Sequence, residues 1–203
     1  MAVKDHRLDA IIIESSKQEF LKHGYNKASL HTICKNANIT TGALYTRYKN
    51  KDALFESLVK EVFDAALPIA SNLSSLYMEA HKQRKPDLIL EAIHQEQTLY
   101  QEILFDHYDA CVLLFARCQG SEVERKLKQA MDQKAEATAA YFQSFSDQAA
   151  AFDGIALLLN AQFYFYKEVL DKGYPKEKAL ACLKTVSLYQ EAGWKALFDA
   201  MLL

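Results

Sequence analysis

Apolar residues recur at helical spacing along most of the chain, and short polar stretches separate the runs. Ser29 is a favourable N-cap for one short run, and Asn38 follows that run as a residue that tolerates a left-handed helix exit. The positions i, i+3, i+4 and i+7 of this run are Leu30, Ile33, Cys34 and Ala37. This pattern predicts a short helix with one apolar face, ended by a sharp turn.

A second short helix is predicted over 40–48, and a third begins at Lys51. Thr40 can cap the second helix, and Asn50 can cap the third. The second helix opens with Thr41, Gly42 and Ala43, which are small enough to approach a surface closely. Two short helices joined by a tight turn fit a helix-turn-helix whose second helix enters the major groove of DNA. An ordinary helical hairpin with a solvated charged end is the alternative.

The rest of the chain also reads as helices. The first is predicted over 5–23, with Gly24 as its stop, and the helix from Lys51 is expected to kink or break near Pro68. The segment 71–86 appears less regular, with a basic, solvated end. Later helices are predicted over 87–104, 106–119, 121–145 and 153–172, and from Pro175 to the C-terminus.

Composition supports an all-α protein. Six glycines and three prolines in 203 residues are few, which favours long helices over a sheet with many turns. No run approaches the ~20 apolar residues that span a bilayer, and the N-terminus lacks the apolar stretch of a secretory signal. We therefore expect a cytoplasmic protein that does not associate with membranes.

Charge divides the chain into two parts. Residues 1–51 hold nine lysines and arginines against four acids, whereas the whole chain has a net charge of −2. The first quarter is thus basic and the remainder acidic. A positive head on an acidic body is the electrostatic pattern expected of a DNA-binding protein.

The N-terminal motifs resemble the TetR family of transcriptional regulators. The resemblance rests on Gly24-Tyr25, on Ile39 to Tyr45 and on Tyr48 to Leu54. Asn38 stands where a glycine is usual, and Tyr48 stands where a phenylalanine is usual. The resemblance implies a helix-turn-helix domain over 1–50 and a helical domain over 51–203 that binds an effector and forms a homodimer.

A dimer of this kind would present two recognition helices to a palindromic operator in double-stranded DNA. The residues expected at the DNA are Ser29, His31, Thr40, Thr41, Gly42, Ala43, Tyr45, Thr46, Arg47, Tyr48 and Lys51. Among them, Thr41, Thr46 and Arg47 have hydrogen-bonding groups suited to base reading, whereas Tyr45 and Lys51 are expected at the phosphate backbone. His31 could equally be a solvated histidine.

Two C-terminal helices carry more apolar surface than one protomer's core requires. Two seams of nearly seven-residue period predict a four-helix bundle made by two protomers. The proposed dimer residues are Ile155, Leu158, Gln162, Phe165, Leu183, Val186, Gln190, Gly193 and Leu197. Central helices in a monomer are the alternative.

The effector itself has no signature in the sequence. Tyr100, Cys111, Phe115 and Phe163 are candidate pocket residues, although the pattern favours an ordinary core position for each. Aromatic residues are abundant, which suits an apolar or aromatic small molecule. The expected function is that of a repressor released from its operator by this effector.

Other classes of protein fit less well. Glu91 and His94 have the Glu-x-x-His spacing of di-iron bundles, but the second copy that such sites need is absent from the sequence. The four cysteines lack metal-ligand spacing and are expected to be buried and reduced, with redox sensing as the alternative. We therefore expect no enzyme activity, no cofactor and no metal. A helical ligand-binding or scaffold protein without DNA binding is the alternative function.

Overall fold

Nine helices and no strand make up the part of the chain that the computed structural model describes, residues 6–83, 86–143 and 149–201. The first four helices are α1 (His6–Lys27), α2 (Leu30–Asn36), α3 (Thr41–Tyr45) and α4 (Lys51–Gln83). They are followed by α5 (Pro86–Asp106), α6 (Tyr108–Ala116), α7 (Glu122–Gln143), α8 (Ala149–Asp171) and α9 (Lys176–Met201). The all-α prediction is confirmed.

Side-chain caps fix the boundaries of the short helices. Ser29 Oγ accepts a hydrogen bond from the Thr32 amide at 3.3 Å, and Thr40 Oγ1 accepts one from the Ala43 amide at 3.1 Å. Asn38 lies between these helices with φ of 54°, the left-handed conformation expected for the turn. Local turn chemistry therefore determines α2, the turn and α3 as the sequence predicts.

Gly24 interrupts α1 as predicted, although helical turns resume beyond it and reach Lys27. Its φ of 70° and ψ of 167° lie outside the helical region, and only glycine adopts this conformation readily. The break redirects the chain so that the residues after Gly24 run towards the end of α6. Tyr25 then packs against the aromatic rings of Phe20 in α1 and Phe55 in α4. We call residues 6–50 the head.

Two predictions for the connecting segment are wrong. No break occurs near Pro68, because α4 continues as one helix from Lys51 to Gln83. The segment 71–86 is correspondingly helical and not an irregular loop, apart from residues 84 and 85, which lie outside the described part of the chain. Because α4 packs along α5 and also contacts α6 and α7, tertiary packing supports a helix that proline alone would disfavour.

One apolar core runs through the whole molecule. It includes Ile12 and Phe20 of α1, Phe55 of α4, Leu113 of α6 and Leu170 of α8. The helices of the body, by which we mean residues 51–201, pack as α4 on α5, α7 on α8 and α5 on α9. Because the core is continuous across residue 51, the proposed division into domains of 1–50 and 51–203 remains a prediction.

The four cysteines carry free thiols. Cys34, Cys111 and Cys118 are buried, and Cys182 is half-buried. Burial raises the pKa of the Cys111 thiol to about 12 and that of Cys118 to about 11. The largest cause in both is loss of hydration, and the charges of Glu61 near Cys111 and Glu124 near Cys118 add to it. These two thiols are therefore held in their protonated, unreactive form at neutral pH.

Candidate nucleic-acid interface

The surface of α3 combines a buried anchor with exposed small and aromatic side chains. Leu44 is fully buried in the head, whereas Thr41, Gly42 and Tyr45 are exposed. Thr46, just beyond the helix, is also exposed, and its hydroxyl donates to the Gly42 carbonyl at 2.9 Å. The helix therefore presents a shallow, mostly uncharged face to its surroundings, and its small residues permit close approach to a groove.

The caps of α2 and α3 lie at the edges of this surface. Ser29 and Thr40 use their hydroxyls to accept backbone N–H groups, so both side chains have a structural role. Glu19 strengthens the same end of α2, because its buried carboxylate accepts the Ser29 amide at 2.9 Å. His31 is exposed on the first turn of α2.

Arg47 is already engaged within the head. Its Nε donates to Asp9 Oδ1 of α1 at 2.7 Å, and its Nη1 donates to the Ala43 carbonyl at 3.4 Å. Both partners of the ion pair are only about one-fifth exposed, at 21% and 22%. Nothing in the local sequence pattern indicates Asp9 as the partner of Arg47, because the two residues are 38 positions apart.

Lys51 also differs from its expected role as a side chain extended towards a phosphate. Its ammonium donates to the Ala28 carbonyl at 2.8 Å and to the Asn26 carbonyl at 3.5 Å. It also lies 4.8 Å from the centre of the Tyr25 ring. Loss of hydration lowers the pKa of Lys51 from its ordinary value. Lys51 thus braces the connection between α1 and α2. Its expected contact with a phosphate remains a prediction.

Tyr48 contributes to the packing of the head, and its predicted contact with DNA remains a prediction. Its ring is half-buried against the core, and burial is the main reason that its pKa is raised above the ordinary value. A smaller, opposing effect comes from a hydrogen bond with Ser57. Lys35 and Lys49 are exposed near the same surface and were not among the predicted contacts. The positive charge of the head is the signal that could have identified them.

The geometry of the head has a counterpart among known proteins. The family model described as "Bacterial regulatory proteins, tetR family" matches residues 12–58, from the middle of α1 into α4. That range contains both short helices, their caps and the left-handed turn.

Residues 12–58 therefore carry the DNA-binding region of the TetR family.

The curated relatives match only part of this chain. An uncharacterised HTH-type transcriptional regulator of Bacillus subtilis, YuxN, is 27% identical over 101 residues, which is 50% of this chain and 32% of that protein. The probable acrEF/envCD operon repressor of Escherichia coli K12 is 38% identical over 47 residues, 23% of this chain and 21% of that protein. The chain thus spans about a third or less of the length of these two curated relatives.

The TetR-family fold extends over the body as well. A TetR-like transcriptional regulator from Rhodococcus sp. RHA1 has a TM-score of 0.56 and 17% sequence identity, covering 92% of this chain and 96% of that one. The likeness shows a shared helical architecture from head to body. The sequence identity is too low to carry a ligand or a target from one protein to the other.

The helices proposed for dimerisation expose a broad apolar face, but on α9 it is not the predicted one. On α8, Leu158 and Phe165 of the predicted seam are exposed. On α9, Leu183 is 1% exposed and Gln190 hydrogen-bonds Gln97 of α5. Leu183 therefore lies in the interior of the protomer and not on a dimer face, and the half-buried Gln190 is turned towards α5 of the same protomer.

The structure describes the burial of three of the remaining seam residues. Val186 and Leu197 are half-buried, and Gly193 is exposed. The side chains of Ile155 and Gln162 lie outside the described part of the structure. The large apolar side chains that the structure does expose on these two helices are Leu157, Leu158, Tyr164, Phe165, Leu188 and Tyr189.

The candidate effector residues lie in the core of the body. Cys111 is buried, Phe115 is half-buried, and the Phe115 ring lies 6.1 Å from that of Tyr166. Burial raises the pKa of Tyr100 to about 12, with a smaller contribution from the charge of Tyr166. Phe163 lies outside the described side chains. These residues share an aromatic region between α5, α6 and α8, and their role as a pocket remains a prediction.

Glu91 and His94 do not form a metal centre with each other. Both are exposed, Glu91 accepts from Gln95, and His94 Nδ1 lies 3.4 Å from Glu191 of α9. Within the described residues, no group of three or more histidines, cysteines or acids is arranged to hold a metal. No helix in the same residues is long and apolar enough to cross a membrane.

Proposed function

We propose that this TetR-family protein is a dimeric transcriptional regulator, most simply a repressor, that binds a palindromic operator and is released by a small-molecule effector. The proposal rests on the structure of α3. This helix is capped by Thr40, its exposed residues are small or aromatic, and Leu44 holds it in the core. A major groove admits a helix of this kind.

The chemistry of the exposed residues suits DNA more than a protein partner. Thr41 and Thr46 offer hydroxyls to base edges, and the Ala43 methyl can meet the methyl group of thymine. The Tyr45 hydroxyl suits a phosphate, as do the exposed ammonium groups of Lys35 and Lys49. Phosphate contacts fix the position of the helix, and the threonines supply most of the capacity to discriminate bases.

Dimerisation follows from the exposed face of α8 and α9. Leu157 and Tyr164 of α8 are each 70% exposed, and Leu188 and Tyr189 of α9 are 62% and 75% exposed. Apolar surface of this extent is costly to leave in water. Two-fold pairing of both helices buries it in a four-helix arrangement, and two heads then address half-sites about 34–36 Å apart.

Repression and effector release complete the proposal. The operon repressor of E. coli matches only 47 residues of this chain, so we infer repression from a partial likeness. An effector in the aromatic region of the body would act only if it bound the DNA-incompetent state more tightly. The aromatic lining favours an apolar or aromatic molecule.

Selection of duplexes from a random-sequence library with the full chain tests DNA recognition. We expect enrichment of a site with two-fold symmetry. Affinity for that site should fall as salt rises, with a slope of about −0.9 per phosphate contacted. A scrambled duplex of equal length is the control. If no sequence is enriched, and binding in dilute buffer is undetectable, a helical ligand-binding or scaffold protein becomes the better description.

A further inference from the structure

Arg117, which follows α6, connects three parts of the molecule. Its Nη1 donates to Oδ1 of Asp171, the last residue of α8, at 2.6 Å. Its Nε donates to the Leu21 carbonyl of α1 at 3.1 Å. Its own carbonyl accepts the Tyr25 amide at 2.8 Å. One residue of the body therefore joins the end of α8 to the end of α1.

The contacts with α1 satisfy backbone groups that the helix itself leaves open. The break at Gly24 removes the helical partner that the Leu21 carbonyl would otherwise find, and it turns the Tyr25 amide away from the helix. Arg117 supplies a donor to the first group and an acceptor to the second. The head is thus hydrogen-bonded to the body in a defined orientation, and contact is not limited to apolar packing.

A side chain at position 24 would disturb this joint. A Cβ on Gly24 would lie 3.7 Å from the Arg117 carbonyl, which is ordinary contact, but its φ of 70° disfavours any other residue. Another polar contact joins two helices of the body, where Asp52 Oδ1 of α4 accepts a hydrogen bond from the Glu122 amide of α7 at 2.8 Å. The Asp52 contact joins α4 to α7, whereas the Arg117 contact reaches α8.

We propose that Arg117 and Asp171 are positioning residues for operator recognition, which fix each head relative to the dimer helix α8. The inference rests on the proposed function, since α8 carries much of the apolar face assigned to dimerisation. In a two-fold dimer, the orientation of each head sets the separation of the two recognition helices. The Asp171–Arg117 ion pair then contributes to the preference for one spacing between half-sites.

Duplexes with altered spacing test this role. The probes are the selected site, the same site with one base pair added or removed at its centre, and a single half-site. The variants are Asp171→Asn, which removes the charge, and Asp171→Glu, which keeps a carboxylate. Glu168→Gln is the matched control, because Glu168 of α8 pairs at 3.1 Å with Lys172, the residue just after the helix, and that ion pair does not involve Arg117.

We expect the wild type to discriminate clearly between the spacings. In Asp171→Asn, the ratio of affinities for the native and altered spacings should fall about two- to fivefold, the size expected for a partly exposed ion pair. Affinity for the single half-site should not change. Asp171→Glu should recover most of the discrimination, and Glu168→Gln should retain all of it.

Hydrogen exchange supplies a measurement that does not require DNA. The Tyr25 amide donates to Arg117, so its exchange should accelerate in Asp171→Asn and remain unchanged in Glu168→Gln. Unchanged spacing discrimination in Asp171→Asn, or an equal loss of affinity on every duplex, would overturn the positioning role alone. Failure of the wild type to select any two-fold site would instead overturn the proposed function, and the positioning role with it.

Discussion

Arg47 Nε lies 2.7 Å from Asp9 Oδ1, so Arg47, two residues beyond the end of α3, is bonded to α1. The pair is only partly exposed and spans 38 residues of sequence. Arg47 is the strongest base-reading candidate by residue type, yet its guanidinium is already directed at α1. Arg47 therefore helps to hold α3 in place, and we propose that its remaining N–H groups contact DNA.

We expect Asp9 and Arg47 to be energetically coupled. Asp9→Asn and Arg47→Gln should each lower the free energy of unfolding, and the double variant should lose less than the sum. A coupling of about 0.5–1 kcal/mol is expected after allowance for solvent screening. Urea denaturation of the four proteins at low salt measures it, and repetition at 1 M salt should reduce it. Strictly additive losses would show that the pair does not stabilise the head.

Thr41 and Lys51 should have different effects on DNA binding. Thr41 is exposed on α3 and suits base contact, so Thr41→Ala should change the order of preference among single-base variants of the operator. Lys51 braces the carbonyls of Ala28 and Asn26, so Lys51→Ala should weaken binding by a similar factor on every variant. Titration of both proteins against the same panel separates the effects. Equal loss of discrimination in both would contradict this division of roles.

The head was more predictable than the body because its geometry depends on local chemistry. Ser29, Thr40 and Asn38 each act on backbone groups within a few residues, and all three have the predicted roles. The continuation of α4 beyond Pro68 depends instead on packing against α5, which no local rule reveals. The Asp9–Arg47 and Arg117–Asp171 pairs were unpredictable for the same reason.

The α9 seam shows the limit of periodicity in another way. Leu183 and Leu188 both lie on apolar stripes of α9, but one packs against the protomer's own helices and the other faces outwards. A repeat of apolar positions identifies helix faces without stating which neighbour each face meets. Only the placement of α5 beside α9, visible in the hydrogen bond between Gln97 and Gln190, distinguishes them.

Leu183 and Leu188 should therefore respond differently to substitution. Leu188→Glu should shift the protein from dimer to monomer with its helix content unchanged, because the residue is exposed in the protomer. Leu183→Ala should instead lower the free energy of unfolding by about 2–5 kcal/mol, because it leaves a cavity in the core. Sedimentation and thermal denaturation distinguish the two. A monomeric wild type at micromolar concentration would contradict the dimer.

Thiol reactivity should separate Cys182 from the other three cysteines. Cys182 is half-buried, whereas Cys34, Cys111 and Cys118 are buried, and burial raises the pKa of the Cys111 and Cys118 thiols. A disulfide reagent at pH 8 should modify one thiol quickly and the rest only on unfolding. Cys182→Ser should abolish the fast phase. Rapid modification of two or more thiols in that variant would instead support redox sensing.

Alkaline pH should destabilise the protein through its buried tyrosines. The pKa of Tyr100 is raised from its ordinary value of 10.0 to about 12, chiefly by burial, and that of Tyr25 is raised to about 12 by burial and by Asp52. A raised pKa means that the unfolded chain ionises first, so the stability is complete below pH 10 and is lost progressively towards pH 12. Urea midpoints between pH 8 and pH 12 should fall accordingly.

Two variants serve as controls for this pH dependence. Tyr100→Phe should show a smaller fall in the urea midpoint, whereas Tyr45→Phe, at an exposed position, should match the wild type. An equal fall in Tyr100→Phe and the wild type would show that Tyr100 does not contribute to this pH dependence.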